Sequence, residues 1–167
     1  YRNVWFMRLS NQSLFIRQQQ AGVERACEEL GLTFLGARIP DVWGNWTEHA
    51  SLEEMAQKAF AGNLRMADEI KALPEKTAIL ADQSDLTEMS KRLVVRSGRR
   101  LADDLGVADL MGDRAAYFGN SSMSFPYDNW LNRALNYLVD DSISSVQPVR
   151  EWIKPAFVDR GTMRPMS

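Results

Sequence analysis

Leu32-Thr33-Phe34-Leu35-Gly36-Ala37-Arg38-Ile39 and Thr77-Ala78-Ile79-Leu80-Ala81-Asp82 are the two stretches on which the fold turns. The first is short and apolar and is bracketed by Gly31 and Pro40, the punctuation expected of a strand. The second has the same character, but it reads equally well as a buried link between helices. Taken as parallel strands, the two make the segments between and after them crossover helices and the chain an α/β protein. Taken as a minor pair, they cannot form an independent sheet, because three or more strands are usually needed.

The sequence around them is written mostly in helical periods. Phe15, Ile16, Gln19, Val23, Ala26, Cys27 and Leu30 recur at three- and four-residue steps, so a helix is predicted from Ser13 to Leu30, closed by a left-handed cap at Gly31. Ser51 and Glu54 have capping-box spacing. They open a second helix carrying Leu52, Met55, Ala59, Phe60, Leu64, Ala67 and Ile70, with Gly62-Asn63 as a candidate kink and Pro74 as its end. Asp85 with Glu88 offers a third start, for a helix predicted to run to Leu105 past Gly98 and to end at Gly106. A shorter helix from Ala108 to Phe118, one begun by Pro126 and one begun by Pro148 complete the pattern.

On this weight of helical periodicity the expected fold is mainly α: a compact array of about six helices with at most a minor pair of short strands. The alternative is a fragment of an α/β protein, with a ligand beyond the strand ends near Pro40 to Trp46 and Asp82 to Asp85. Residues 1–167 read as a single domain with a tail at residues 160–167. Because the chain starts at Tyr1 and not at Met, it reads as processed, trimmed or part of something longer.

Bulk properties set the outer limits. The chain has 167 residues, 45% hydrophobic and 25% charged, with a formal net charge of -2. Those are ordinary globular values, against disorder and against the basic excess of a typical nucleic-acid binder. No window approaches the roughly 18 apolar residues of a membrane span. Cys27 is the sole cysteine, so no disulfide can form within the chain. That favours a reducing, cytoplasmic setting, with Cys27 packed as a small hydrophobe.

Motifs for chemistry are scarce. Neither a glycine-rich phosphate loop nor a nucleophile elbow is present, since Gly119-Asn120-Ser121-Ser122-Met123-Ser124 lacks the second glycine. His49 is the only histidine. With carboxylates at Glu48, Glu53 and Glu54 but no ligand spacing, it predicts no metal site. Catalytic residues are therefore unassigned, enzyme status is left open, and no cofactor is expected. Leu101 to Val107 resembles the first helix and turn of a helix-turn-helix, but Gly112, Asp109 and Asp113 spoil the second helix, which argues against DNA reading.

Two features remain as candidate surfaces. Arg92, Arg96, Arg99 and Arg100 share one side of a helix and could meet an anion or a partner's carboxylates. Trp43 and Trp46 in one loop, and Tyr127 and Trp130 in another, combine large area with a polar handle. With Glu48, His49, Asn120 and Asp128 they could line a site. The sequence thus points to a non-enzymatic interaction or structural domain docking a protein partner through the Arg stripe or the aromatic loops. The second reading is an enzyme or small-molecule-binding domain with its pocket between the 41–50 and 118–130 loops.

Overall fold

The computed structural model describes residues 1–8, 14–40, 51–111, 115–125, 131–132, 135–136 and 154–163. Within them lie β1 (Asn3–Met7), α1 (Leu14–Leu30), β2 (Thr33–Arg38), α2 (Leu52–Ala72), β3 (Thr77–Ala81), α3 (Ser84–Arg96), β4 (Leu105–Asp109), α4 (Ala115–Phe118), β5 (Ser121–Ser124) and β6 (Ala156–Val158). The strands form one sheet in the order β2-β1-β3-β4-β5-β6. The first five run parallel, and β6 is antiparallel to β5. The expected helical array is therefore corrected to an α/β fold built on a six-stranded sheet, and the α/β alternative describes it better.

The strand from which the sheet branches is Asn3-Val4-Trp5-Phe6-Met7, second in the order between β2 and β3. It pairs with Thr77–Ala81 residue for residue, and with β2 on its other side. Alternate residues face opposite layers, as strand geometry requires. Trp5, Met7, Ile79, Ala81, Leu105 and Val107 pack into one core with Met66, Ala67 and Ile70 of α2 and Leu86, Leu93 and Val94 of α3. Val4 and Leu80 turn the other way, toward the α1 stripe of Gln19, Val23, Ala26 and Cys27. Burial on both faces removes the apolar–polar alternation that reveals a half-exposed strand.

The local signals behave unevenly. At α1 the glycine cap forms: Gly31 has φ 65°, and the Leu32 N–H donates to the Cys27 carbonyl at 2.8 Å. At α2 both halves of the capping box are present, the Glu54 N–H donating to Ser51 Oγ (3.3 Å) and the Ser51 N–H to Glu54 Oε2 (2.8 Å). α2 runs unbroken through Gly62-Asn63. In β2, Gly36 takes φ 103° where the register with β1 slips, a bulge that a side chain would resist.

Three predicted helices need correction. The one from Asp85 to Leu105 stops at Arg96, because Gly98 takes φ 79° and acts as the terminator. Leu101 to Val107, the suspected half of a helix-turn-helix, is a tight turn with Ala102 at φ 66° followed by the start of β4. Of Ala108 to Phe118 only the last four are helical among the described residues. Of the helix predicted from Pro148, the start lies outside the described residues, and Ala156–Val158 form β6, where Phe157 is half exposed and not turned inward. Arg160 to Met163, inside the segment read as a tail, continue along the sheet: the Val107 N–H donates to the Thr162 carbonyl at 2.9 Å.

Central burial sets a clear expectation. Ile79 is fully enclosed and Val95 is 66% exposed. Ile79→Ala should therefore cost about 2–5 kcal/mol in urea unfolding, whereas Val95→Ala should fall within about 0.5 kcal/mol of the parent. A loss at Ile79 no larger than at Val95 would contradict the burial described.

Candidate ligand-binding edge

In an open parallel sheet a ligand site forms outside the carboxyl ends of the strands, at the point where strand order reverses. Here that point lies between β1 and β3, because the chain goes outward to β2 after β1 and returns to the other side for β3. The strand ends are stitched together there. The Arg8 N–H donates to the Arg38 carbonyl (3.0 Å), the Asp82 N–H to the Met7 carbonyl (3.0 Å) and the Leu110 N–H to the Ala81 carbonyl (2.9 Å). The edge thus presents Arg8 after β1, Asp82 after β3 and Asp109 at the end of β4.

The two carboxylates are almost wholly buried, Asp82 at 1% exposure and Asp109 at 0%. Asp109 has a structural duty. Its Oδ2 accepts from the Ser84 hydroxyl at the start of α3, and its Oδ1 accepts from the Met111 N–H at 2.7 Å. One carboxylate therefore fixes the turns after both β3 and β4. Arg8 is half buried, and its enclosed Nε has no hydrogen-bond partner among the described residues. Close by, Arg38 is held bidentate by Glu69, with Nε and Nη2 at 2.9 and 2.8 Å from the two carboxylate oxygens.

The residues singled out in the sequence are distributed differently from the expectation. Trp43, Trp46, Glu48, His49, Tyr127, Asp128 and Trp130 lie outside the described residues. The strands that precede the 41–50 and 126–130 segments in sequence, β2 and β5, both end at the carboxyl edge and lie four spacings or about 19 Å apart. Asn120 enters β5 from its other end. It is fully buried, and its Oδ1 accepts from Lys91 Nζ at 2.7 Å. Lys91 also pairs with Glu88 (2.8 Å), and that hydrogen bond holds the Glu88 carboxyl below its ordinary range against the opposing effect of burial.

The Arg stripe is divided among separate local partners. Arg92 pairs with Glu88 at 3.2 Å, Arg96 lies 5.7 Å over the Phe60 ring, Arg99 donates to the Leu73 carbonyl (3.0 Å) and Arg100 pairs with Asp104 (2.9 Å). Its members do not converge on one acceptor. A separate groove of about 560 Å³ runs between α1 and the sheet face, lined by Val4, Phe15, Val23, Leu80, Met123 and Phe125 among others. Cys27 lies at its wall, its thiol pushed up first by burial and then by Glu24 and Glu28. The groove offers almost no polar atoms, so it lacks the converging donors of a polar-ligand site. No group of three or more metal-ligating side chains occurs among the described residues, and none of their helices is long and apolar enough to cross a membrane.

No family model and no curated protein matches the sequence. Solved structures do match in fold. One of a xylose-binding transcription activator aligns over 99% of this chain at 15% identity and a TM-score of 0.70, with 43% of that chain covered. The lac repressor dimer bound to operator and an anti-inducer aligns over 98% at 16% identity and a TM-score of 0.69, with 53% of it covered. A LacI-family transcriptional regulator from Arthrobacter, in complex with lactose, aligns over 98% at 19% identity and a TM-score of 0.64, with 57% covered. This chain therefore spans roughly half the length of these neighbours, and its fold is that of their α/β domains. The expectation of a helical docking domain is corrected accordingly: the chain has the α/β architecture of these neighbours, not a helical array.

Removing the Asp109 carboxylate isolates its duty. Asp109→Ala leaves the Ser84 hydroxyl and the Met111 N–H without their acceptor. At about 1–3 kcal/mol for each of the two groups left unsatisfied, chemical denaturation should show a loss of about 2–6 kcal/mol. A variant as stable as the parent would remove Asp109 from this role.

Proposed function

We propose that this chain is a small-molecule-binding α/β domain of the kind found in transcriptional regulators, taking a small polar ligand at the carboxyl edge between β1 and β3. One observation carries the reading: the reversal of strand order sets the buried Asp82 and the half-buried Arg8 side by side, their backbones joined through Met7. A buried carboxylate suits ligand hydroxyls, which donate to it, and a guanidinium supplies the complementary donors. The likeness to a xylose-binding activator and to a regulator in complex with lactose supports a polyhydroxylated ligand. Another neighbour was solved on operator DNA, so the sequence-based expectation of no nucleic-acid partner does not extend to a longer protein built on this domain.

Trp43, Trp46, Glu48 and His49 follow β2 directly in sequence, and Tyr127, Asp128 and Trp130 follow β5. They belong to this proposal as candidate ligand contacts. Asn120, committed to Lys91, does not.

Ligand-dependent melting tests the reading with a panel of simple sugars and polyols. A ligand at a hundred times its Kd should stabilise by about 2.7 kcal/mol, a Tm rise of about 5–10 °C for a domain of this size. Asp82→Ala should lose the response. A panel with no stabilising member, or a response unchanged in Asp82→Ala, would overturn the assignment.

A further inference from the structure

Arg8 stands one residue past β1 at the mouth of the strand-order reversal. Its backbone is fixed by the bond to Arg38, while among the described residues its Nε is enclosed without a hydrogen-bond partner and no carboxylate pairs with its guanidinium. Enclosing part of a charged group without an acceptor is costly. Other cations of the fold are committed: Arg38 to Glu69, Lys91 to Glu88 and Asn120, Arg160 to the Asn120 carbonyl and Ser122 Oγ.

The backbone adds to the positive potential at this edge. α3 starts there, and its N-cap Gln83 contributes no side-chain capping bond, whereas α2 is closed by Ser51 and Glu54. An uncapped helix start favours an anion. Against it stand Asp85 in the first turn of α3 and Asp82 beside Arg8. Asp109 is bound up with Ser84 and Met111. A fully anionic ligand would meet Asp82 unfavourably, and a neutral sugar would leave Arg8 unmatched. A molecule bearing hydroxyls at one end and an oxyanion at the other matches both.

We propose that the ligand is a polyhydroxylated acid, its carboxylate or phosphate held by Arg8 and its hydroxyls by Asp82. This rests on the reading of the carboxyl edge as a ligand site, and it separates the chain from the neutral sugars named for its structural neighbours.

Titration calorimetry on the 167-residue chain tests it with glucose, galactose, xylose and ribose, each compared with its sugar acid and its terminal phosphate ester. In at least one set an acidic member should bind tenfold or more tighter than the neutral sugar, as a charge-assisted bidentate contact allows. Whether carboxylate or phosphate wins identifies the oxyanion. The preference should vanish in Arg8→Gln and persist, weakened, in Arg8→Lys, with circular dichroism showing all variants folded. Neutral sugars binding as tightly as their acids overturn this inference and leave the ligand site standing. An acid preference that survives Arg8→Gln overturns the role of Arg8. Binding of no member overturns both the inference and the reading beneath it.

Discussion

Five residues near the start of the chain hold the architecture together. β1 occupies the position between β2 and β3, so its backbone groups serve two parallel ladders at once. Its side chains serve both layers, Trp5 and Met7 packing with α2 and α3 and Val4 with α1. Without this strand the β2–α1 unit would have no connection to the rest of the sheet. The strand order would not reverse, and Arg8 and Asp82 would not be neighbours. The candidate site is therefore a consequence of where β1 pairs.

A parallel sheet covered on both faces explains which parts of the fold are legible in the sequence. Helix α1, with its glycine cap, and α2, with its capping box, carry local signals, and both form as those signals predict. β2 and β3 lie where the two apolar runs suggested. β1 and β4 carry no such mark. Val4 to Met7 is a continuous apolar run without alternation. β4 is hidden because Leu101 and Leu105 extend the helical period of α3 beyond its true end. The deciding residue is Gly98, whose positive φ ends the helix eight residues before Gly106, where periodicity had put the stop. With β1, β4, β5 and β6 unrecognised, two strands remain and a helical array becomes the cheaper reading.

The same error hid the site. Asp82 is reachable from sequence through the α/β alternative, which places a ligand beyond the end of β3. Arg8 and Asp109 are not, because the one follows and the other ends a strand that periodicity missed. The arginine stripe, by contrast, is a genuine helical pattern, but only Arg92 and Arg96 lie on α3, and Arg99 and Arg100 fall beyond the glycine that ends it. A pattern continuing past a helix terminator spreads over several surfaces, which accounts for its four separate partners.

Native-state hydrogen exchange of the β1 amides tests the central claim most directly. If Asn3 to Met7 is the interior strand of the sheet, the amides of Trp5, Phe6 and Met7 should open only with global unfolding, as slowly as those of Ile79 and Val107. Exchange of the β1 amides at the rate of a frayed terminus, with Ile79 still protected, would show that this segment does not bridge β2 and β3, and the site built on that bridge would fall with it.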